Sequence, residues 1–177
     1  MAFIEQVPKT ALDVFRMLPE GTLCEVIENV LYMSPAPKYN HQRLVTLFTI
    51  RIGNYVESQQ KGIVITSPFD VYLENLLSAV QPDVLYVSKE NSDILKEDGY
   101  IHGAPDLIVE VLSTDIQRDK VQKKSLYERA GVREYFIVNP KDNKVLAYAL
   151  NNTSTYELAY DAIGHFKSAL LNYEFRF

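Results

Sequence analysis

The sequence predicts an α/β fold: a mixed central sheet sandwiched by helices, in the order helix, three strands, helix, strand, with extra β-structure at both ends. Three observations carry this reading. Residues 105–112, Pro105-Asp106-Leu107-Ile108-Val109-Glu110-Val111-Leu112, are apolar almost without interruption, as a central strand covered on both faces must be. Residues 40–59 place Leu44, Val45, Leu47, Phe48, Ile52, Tyr55 and Val56 on one broad helical face. A lysine-rich helical run from Arg118 to Ala130, stopped by Gly131, leads straight into the strand pattern Glu134-Tyr135-Phe136-Ile137-Val138.

The remaining elements follow in order. Residues 8–18 suit a short amphipathic helix ended near Pro19-Glu20-Gly21. Residues 22–34 alternate as a hairpin turning at Glu28-Asn29, and Ser34-Pro35-Ala36-Pro37 breaks it. Gly62 is expected to end the long helix, after which 63–66 and 69–73 read as strand around Ser67-Pro68. Residues 80–87 read as the second strand, 90–96 as a short helix, and 105–112 as the third strand. After 134–138, the runs 144–150 and 155–160 and the last residues read as further strands. With no repeat and no long linker, 177 residues suit one domain. Its core spans about 39–140, with an N-terminal helix and hairpin (8–34) and a C-terminal β extension (144–177).

Composition narrows the function classes. The formal net charge of −5 argues against a protein that binds nucleic acid constitutively and without specificity, which would be basic. A local basic patch together with a metal ion can still offset phosphate charge. Cys24 is the lone cysteine, so no internal disulfide forms, and it reads as a core thiol rather than a nucleophile. No apolar run approaches the roughly 20 residues of a membrane span. The N-terminus lacks the basic and apolar regions of a signal peptide, so the cytoplasm is the expected location.

The chemistry lies in two carboxylates. Asp83 stands in Gln81-Pro82-Asp83-Val84-Leu85 and Glu110 in the third strand, each beside apolar residues where an isolated charge is costly. Asp106 shares the face of Glu110 but stands four residues away, roughly 13 Å, too far to chelate one ion with it. Asp83 lies across from Glu110, at about 5 Å between Cβ atoms, if the strand register allows. Such oxygen donors suit Mg²⁺ or Mn²⁺ rather than zinc, and a metal so held acidifies water and neutralises phosphate charge. On the following helix Asp119, Lys123 and Tyr127 share one face, from which a cation can point back at the carboxylates.

These residues carry a family resemblance. Pro-Asp in one strand and Glu110 in the next is similar to the PD-(D/E)xK nuclease superfamily. More closely, Gly103 to Ser113, then Asp119, Lys123, Tyr127, Gly131-Val132 and Glu134-Tyr135 resemble the Uma-two-like restriction-endonuclease family. Glu25, Met33-Ser34-Pro35, His41-Gln42-Arg43 and Gln81-Pro82-Asp83 also fall where that family has similar residues. The resemblance implies a restriction-endonuclease-like αβββαβ core and a Mg²⁺- or Mn²⁺-dependent endonuclease that cuts DNA to leave a 5′-phosphate. It implies Asp83 and Glu110 as metal ligands. The superfamily lysine, two residues after the second acid, is Leu112 here, and Lys123 matches the lysine that this family supplies from the next helix. Glu25 becomes a candidate additional ligand, and His41 a candidate phosphate or proton-handling group. Enzymes that cut both strands pair two sites about a two-fold axis, so a homodimer is expected.

Plainer readings stand beside these. Glu110 and Lys123 alone make a buried structural ion pair, and Glu25, His41 and Tyr127 have ordinary surface, helix-start and packing roles. On that alternative the chain is a non-catalytic, nuclease-like binding or assembly module.

Overall fold

The computed structural model describes residues 7–113 and 118–177, with backbone only for Arg118 and Asp119. The chain opens with helix α1 (Ala11–Arg16), whose Thr10 cap and Asp13 satisfy each other's backbone N–H groups. The hairpin β1 (Cys24–Ile27) and β2 (Val30–Met33) turns at Glu28-Asn29, both at positive φ as a tight hairpin requires. Helix α2 (Tyr39–Ser58) then delivers the chain to β3 (Gly62–Thr66).

The expected strand pattern after β3 divides between two sheets. Beyond Ser67-Pro68 the chain leaves for β4 (Val71–Leu73) and β5 (Ser78–Val80), an antiparallel pair that joins β1 and β2. The expected strand 80–87 is therefore two pieces. Val80 ends β5, Gln81-Pro82-Asp83 crosses over, and β6 (Val84–Ser88) begins the other sheet. Proline has no N–H for a ladder, so a strand cannot run unbroken through residue 82. A 3-10 turn at Lys89–Ile94 and the short β7 (Ile101–His102) precede β8 (Leu107–Val111). Residues 118–123 wind as a π-helix and continue into α3 (Lys124–Ala130), which Gly131 closes at a φ of 92°. Strands β9 (Glu134–Val138), β10 (Lys144–Leu150), β11 (Tyr156–Ile163), β12 (His165–Ser168) and β13 (Tyr173–Arg176) complete the chain.

The six-stranded sheet runs β11-β10-β9-β8-β6-β3. β6 runs antiparallel to both of its neighbours, β3 and β8, and β9 lies parallel to β8 across the crossover through α3. This is the expected mixed sheet with its αβββαβ core. The five-stranded sheet runs β2-β1-β5-β4-β7. Alternation along β8 assigns the two faces. Leu107, Val109 and Val111 meet Leu44, Val45, Phe48 and Ile52 of α2, whereas Ile108 and Leu112 meet Leu126 and Tyr127 of α3 and Val71 and Val80 of the smaller sheet.

Two sequence details resolve differently from expectation. Helix α2 ends at Gln59, and Gly62 starts β3 instead of capping the helix. A Cβ at position 62 would lie 2.1 Å from the Val87 carbonyl oxygen, so the close strand crossing itself demands glycine. Cys24 is fully buried, and desolvation pushes its thiol above the ordinary range, in keeping with an inert core residue. No helix among the described residues is long and apolar enough to cross a membrane.

Phe48 ties α2 to the C-terminal hairpin, with Phe166 and Phe177 packed edge-on at ring-centre distances of 5.5 and 5.0 Å. The Phe48→Ala variant is expected to lose about 3–5 kcal/mol, read as a lower urea midpoint with an unchanged slope.

Candidate active site

The register of β6 against β8 decides where the two carboxylates meet. Val84 pairs with Val109 and Leu85 with Ile108, so continuing the antiparallel ladder sets Asp83 opposite Glu110. Asp83 lies just outside the strand, where Pro82 has ended the ladder. Its Oδ2 accepts the backbone N–H of Val111, the residue after Glu110, at 2.8 Å. The same oxygen lies 3.2 Å from Nε2 of His41, in the first turn of α2.

Glu110 points to the α3 face of the sheet. Its Oε1 accepts Lys123 Nζ at 2.9 Å and Tyr127 Oη at 2.8 Å. Lys123 Nζ also lies 2.8 Å from Oε1 of Glu25, which comes from β1 of the other sheet. Glu25 Oε1 in turn accepts the backbone N–H of Gln81 at 2.9 Å, immediately before Pro82-Asp83. Glu25, Glu110 and Lys123 are at most 4% exposed. At that depth each charge needs its partner, and removing one leaves the rest uncompensated.

The structure thus gathers Glu25, His41, Asp83, Glu110 and Lys123 at one end of β8. Asp106 goes elsewhere: at the opposite end its carboxylate accepts Ser88 N at 2.8 Å and Asn91 Nδ2 at 3.1 Å, and pairs with Arg133. A cavity of about 380 Å³ lined by Ser88, Asn91, Asp106 and Arg133 opens there, away from the carboxylate pair. Asp70 accepts Gln81 Nε2 at 2.8 Å, and burial raises its pKa. The side chain of Asp119 falls outside the described residues.

One contributor was weighed only as packing and another was missed in the sequence. Tyr127 reads as packing, yet its hydroxyl meets Glu110; the signal was its i, i+4 relation to Lys123. Burial and the nearby Glu110 charge push that hydroxyl well above the usual tyrosine pKa, so it stays a donor. Gln81 acts through its main chain, which no side-chain motif reveals.

The donor set is chemically suited to a hard divalent cation, being carboxylate oxygens, with the buried acids Glu25, Asp83 and Glu110 set against the buried ammonium of Lys123 among the described residues. Among the described residues no three His, Cys, Asp or Glu side chains are arranged as a complete metal cage. Lys123 accounts for this, because its ammonium occupies the space between Glu25 and Glu110. Asp83 and Glu110 are the residues that would hold such an ion.

The mixed sheet, its crossover helix and this cluster define the restriction-endonuclease-like class of nuclease folds. Residues 12–163 match the family described as "Putative restriction endonuclease", Uma2, and the chain belongs to that family. It is similar over 80% of its length to the crystal structure of a putative nuclease belonging to DUF820 from Anabaena variabilis. The two are 25% identical, with 80% of that chain covered and a TM-score of 0.64. No curated protein matches the chain.

Removing the central ammonium tests the electrostatics directly. Lys123→Met is expected to cost about 3–5 kcal/mol, because it removes the ammonium that pairs with two buried carboxylates. Adding Glu110→Gln should recover part of that loss. Chemical denaturation of the single and double variants reads the coupling, and strictly additive losses would contradict it.

Proposed function

We propose that this protein is a metal-dependent endonuclease that hydrolyses DNA phosphodiester bonds, with Mg²⁺ or Mn²⁺ held by Asp83 and Glu110. The observation that carries this reading is that Asp83, just before β6, accepts the N–H of Val111, the residue after Glu110, while Glu110 accepts one lysine from the next helix. When bound, the ion supplies Lewis acidity at the phosphate and lowers the pKa of nearby water.

The chain's own groups do the rest. Lys123 holds the attacking water and counters charge that develops on the phosphoryl oxygens. Glu25 holds the Lys123 ammonium in place through their 2.8 Å contact. His41, anchored on Asp83, faces the phosphate and positions it. Side-chain exposure rises from 4–5% at Glu25, Glu110 and Lys123 to 12–13% at Asp83 and His41, so substrate approaches from the α2 side. Water oxygen bonds to phosphorus, the bond to the 3′ oxygen breaks, and that oxygen takes a proton. The products are a 5′-phosphate and a 3′-hydroxyl. A homodimer placing two such sites on a duplex is the assembly this reading favours.

Purified protein is expected to nick supercoiled plasmid only when Mg²⁺ or Mn²⁺ is added. Asp83→Ala, Glu110→Ala and Lys123→Ala should each lower the rate by on the order of 100-fold or more. No metal-dependent nicking, or nicking indifferent to all three substitutions, would overturn the enzyme reading and leave the nuclease-like binding module in its place.

A further inference from the structure

We propose that Tyr127 is the positioning residue for Glu110, keeping its carboxylate in place when Lys123 turns from it toward the substrate phosphate. The inference rests on the metal-dependent reading above. Its geometric basis is that two donors share one oxygen. Lys123 Nζ and Tyr127 Oη both reach Glu110 Oε1, at 2.9 and 2.8 Å, from residues one helical turn apart.

The two donors differ in freedom. The Tyr127 ring is fully buried, packed edge-on against Tyr135 at 5.1 Å and clustered with Leu112, Leu126 and Val132. Its hydroxyl has one place to go. Lys123 has a flexible four-carbon stem and a rotatable ammonium. It also stands where the π-wound residues 118–123 meet the regular turns of α3, the kind of irregularity that often accompanies functional sites.

Function asks Lys123 to serve two masters, the glutamates and the phosphate. Each time it turned away, Oε1 of the buried Glu110 would give up one of the two donors it shares. Tyr127 removes that difficulty, since a neutral donor fixed by packing stays when the cation leaves. Groups that orient a ligand from behind in this way commonly change metal affinity by about 10–100-fold when removed.

The test is Mn²⁺ titration followed by electron paramagnetic resonance, on wild type, Glu110→Ala, Tyr127→Phe and Lys123→Met, with metal-free thermal melts alongside. Wild type should bind and Glu110→Ala should not. Tyr127→Phe should weaken Mn²⁺ by about tenfold or more and lower kcat for plasmid nicking while leaving KM for DNA unchanged. Lys123→Met should keep Mn²⁺ affinity within about tenfold, because the Tyr127 hydroxyl still holds Glu110 Oε1. Folded Tyr127→Phe that binds Mn²⁺ as tightly as wild type would overturn the positioning role and leave the metal site standing. So would loss of Mn²⁺ binding in Lys123→Met, which serves as the deciding variant if Tyr127→Phe does not fold. Absence of Mn²⁺ binding in wild type would overturn the metal reading, and the role of Tyr127 with it.

Discussion

The ammonium of Lys123 is the constraint on which this end of the molecule depends. It joins Glu25 of β1 to Glu110 of β8, and so links the two sheets through the start of α3. All three groups are removed from water, so none can be displaced without stranding a charge. The crossover Gln81-Pro82-Asp83 is drawn into the same knot. Gln81 donates its backbone N–H to Glu25, and two residues later Asp83 accepts the N–H of Val111. One short segment thereby reads the position of both sheets and delivers Asp83 beside Glu110.

Leu112 explains why the lysine comes from the helix. It stands two residues after Glu110, on the same face of β8, where a strand lysine would project. That space is apolar, shared with Leu126 and Tyr127. Among the described residues, an ammonium there would have the aliphatic and aromatic neighbours of this cluster. From the start of α3 the ammonium instead arrives between Glu25 and Glu110, and Tyr127 follows one turn later to meet the same oxygen. The choice of leucine at 112 and the placement of lysine at 123 are two halves of one packing solution.

What the sequence made legible was whatever rests on periodicity. The apolar stripe of α2, the near-continuous apolar run of β8, the Glu28-Asn29 turn and the strand Glu134–Val138 all emerge where their patterns place them. Asp83 and Glu110 could be singled out because charged groups stand out in an apolar context, and Lys123 by its helical spacing and the family resemblance. The hairpin of β4 and β5 was not legible, because its turn is made by Leu77 in the left-handed region, a residue that signals no turn. The break at residues 81–83 hid for a related reason: apolar residues on both sides continue the pattern while the chain changes sheets. The π-winding of 118–123 is equally silent, since lysine-rich sequence is compatible with either helix.

A structural ion cluster and a catalytic one differ in their charge balance. Glu25, Lys123 and Glu110 alone would make a closed structural triad, in which one ammonium serves two acids and a tyrosine donates to one of them. Asp83 disturbs that balance. Held by the Val111 N–H and His41, it adds a further buried acid beside Glu110 without adding a lysine. Excess negative charge in a water-poor place costs stability, and a purely structural cluster has no use for it. A divalent cation turns the same excess into a binding site. The surplus falls on the Asp83 and His41 side, where the cluster is also most open to solvent. Among the described residues, charge, donor chemistry and access coincide on that side, which is where the proposed ion would sit.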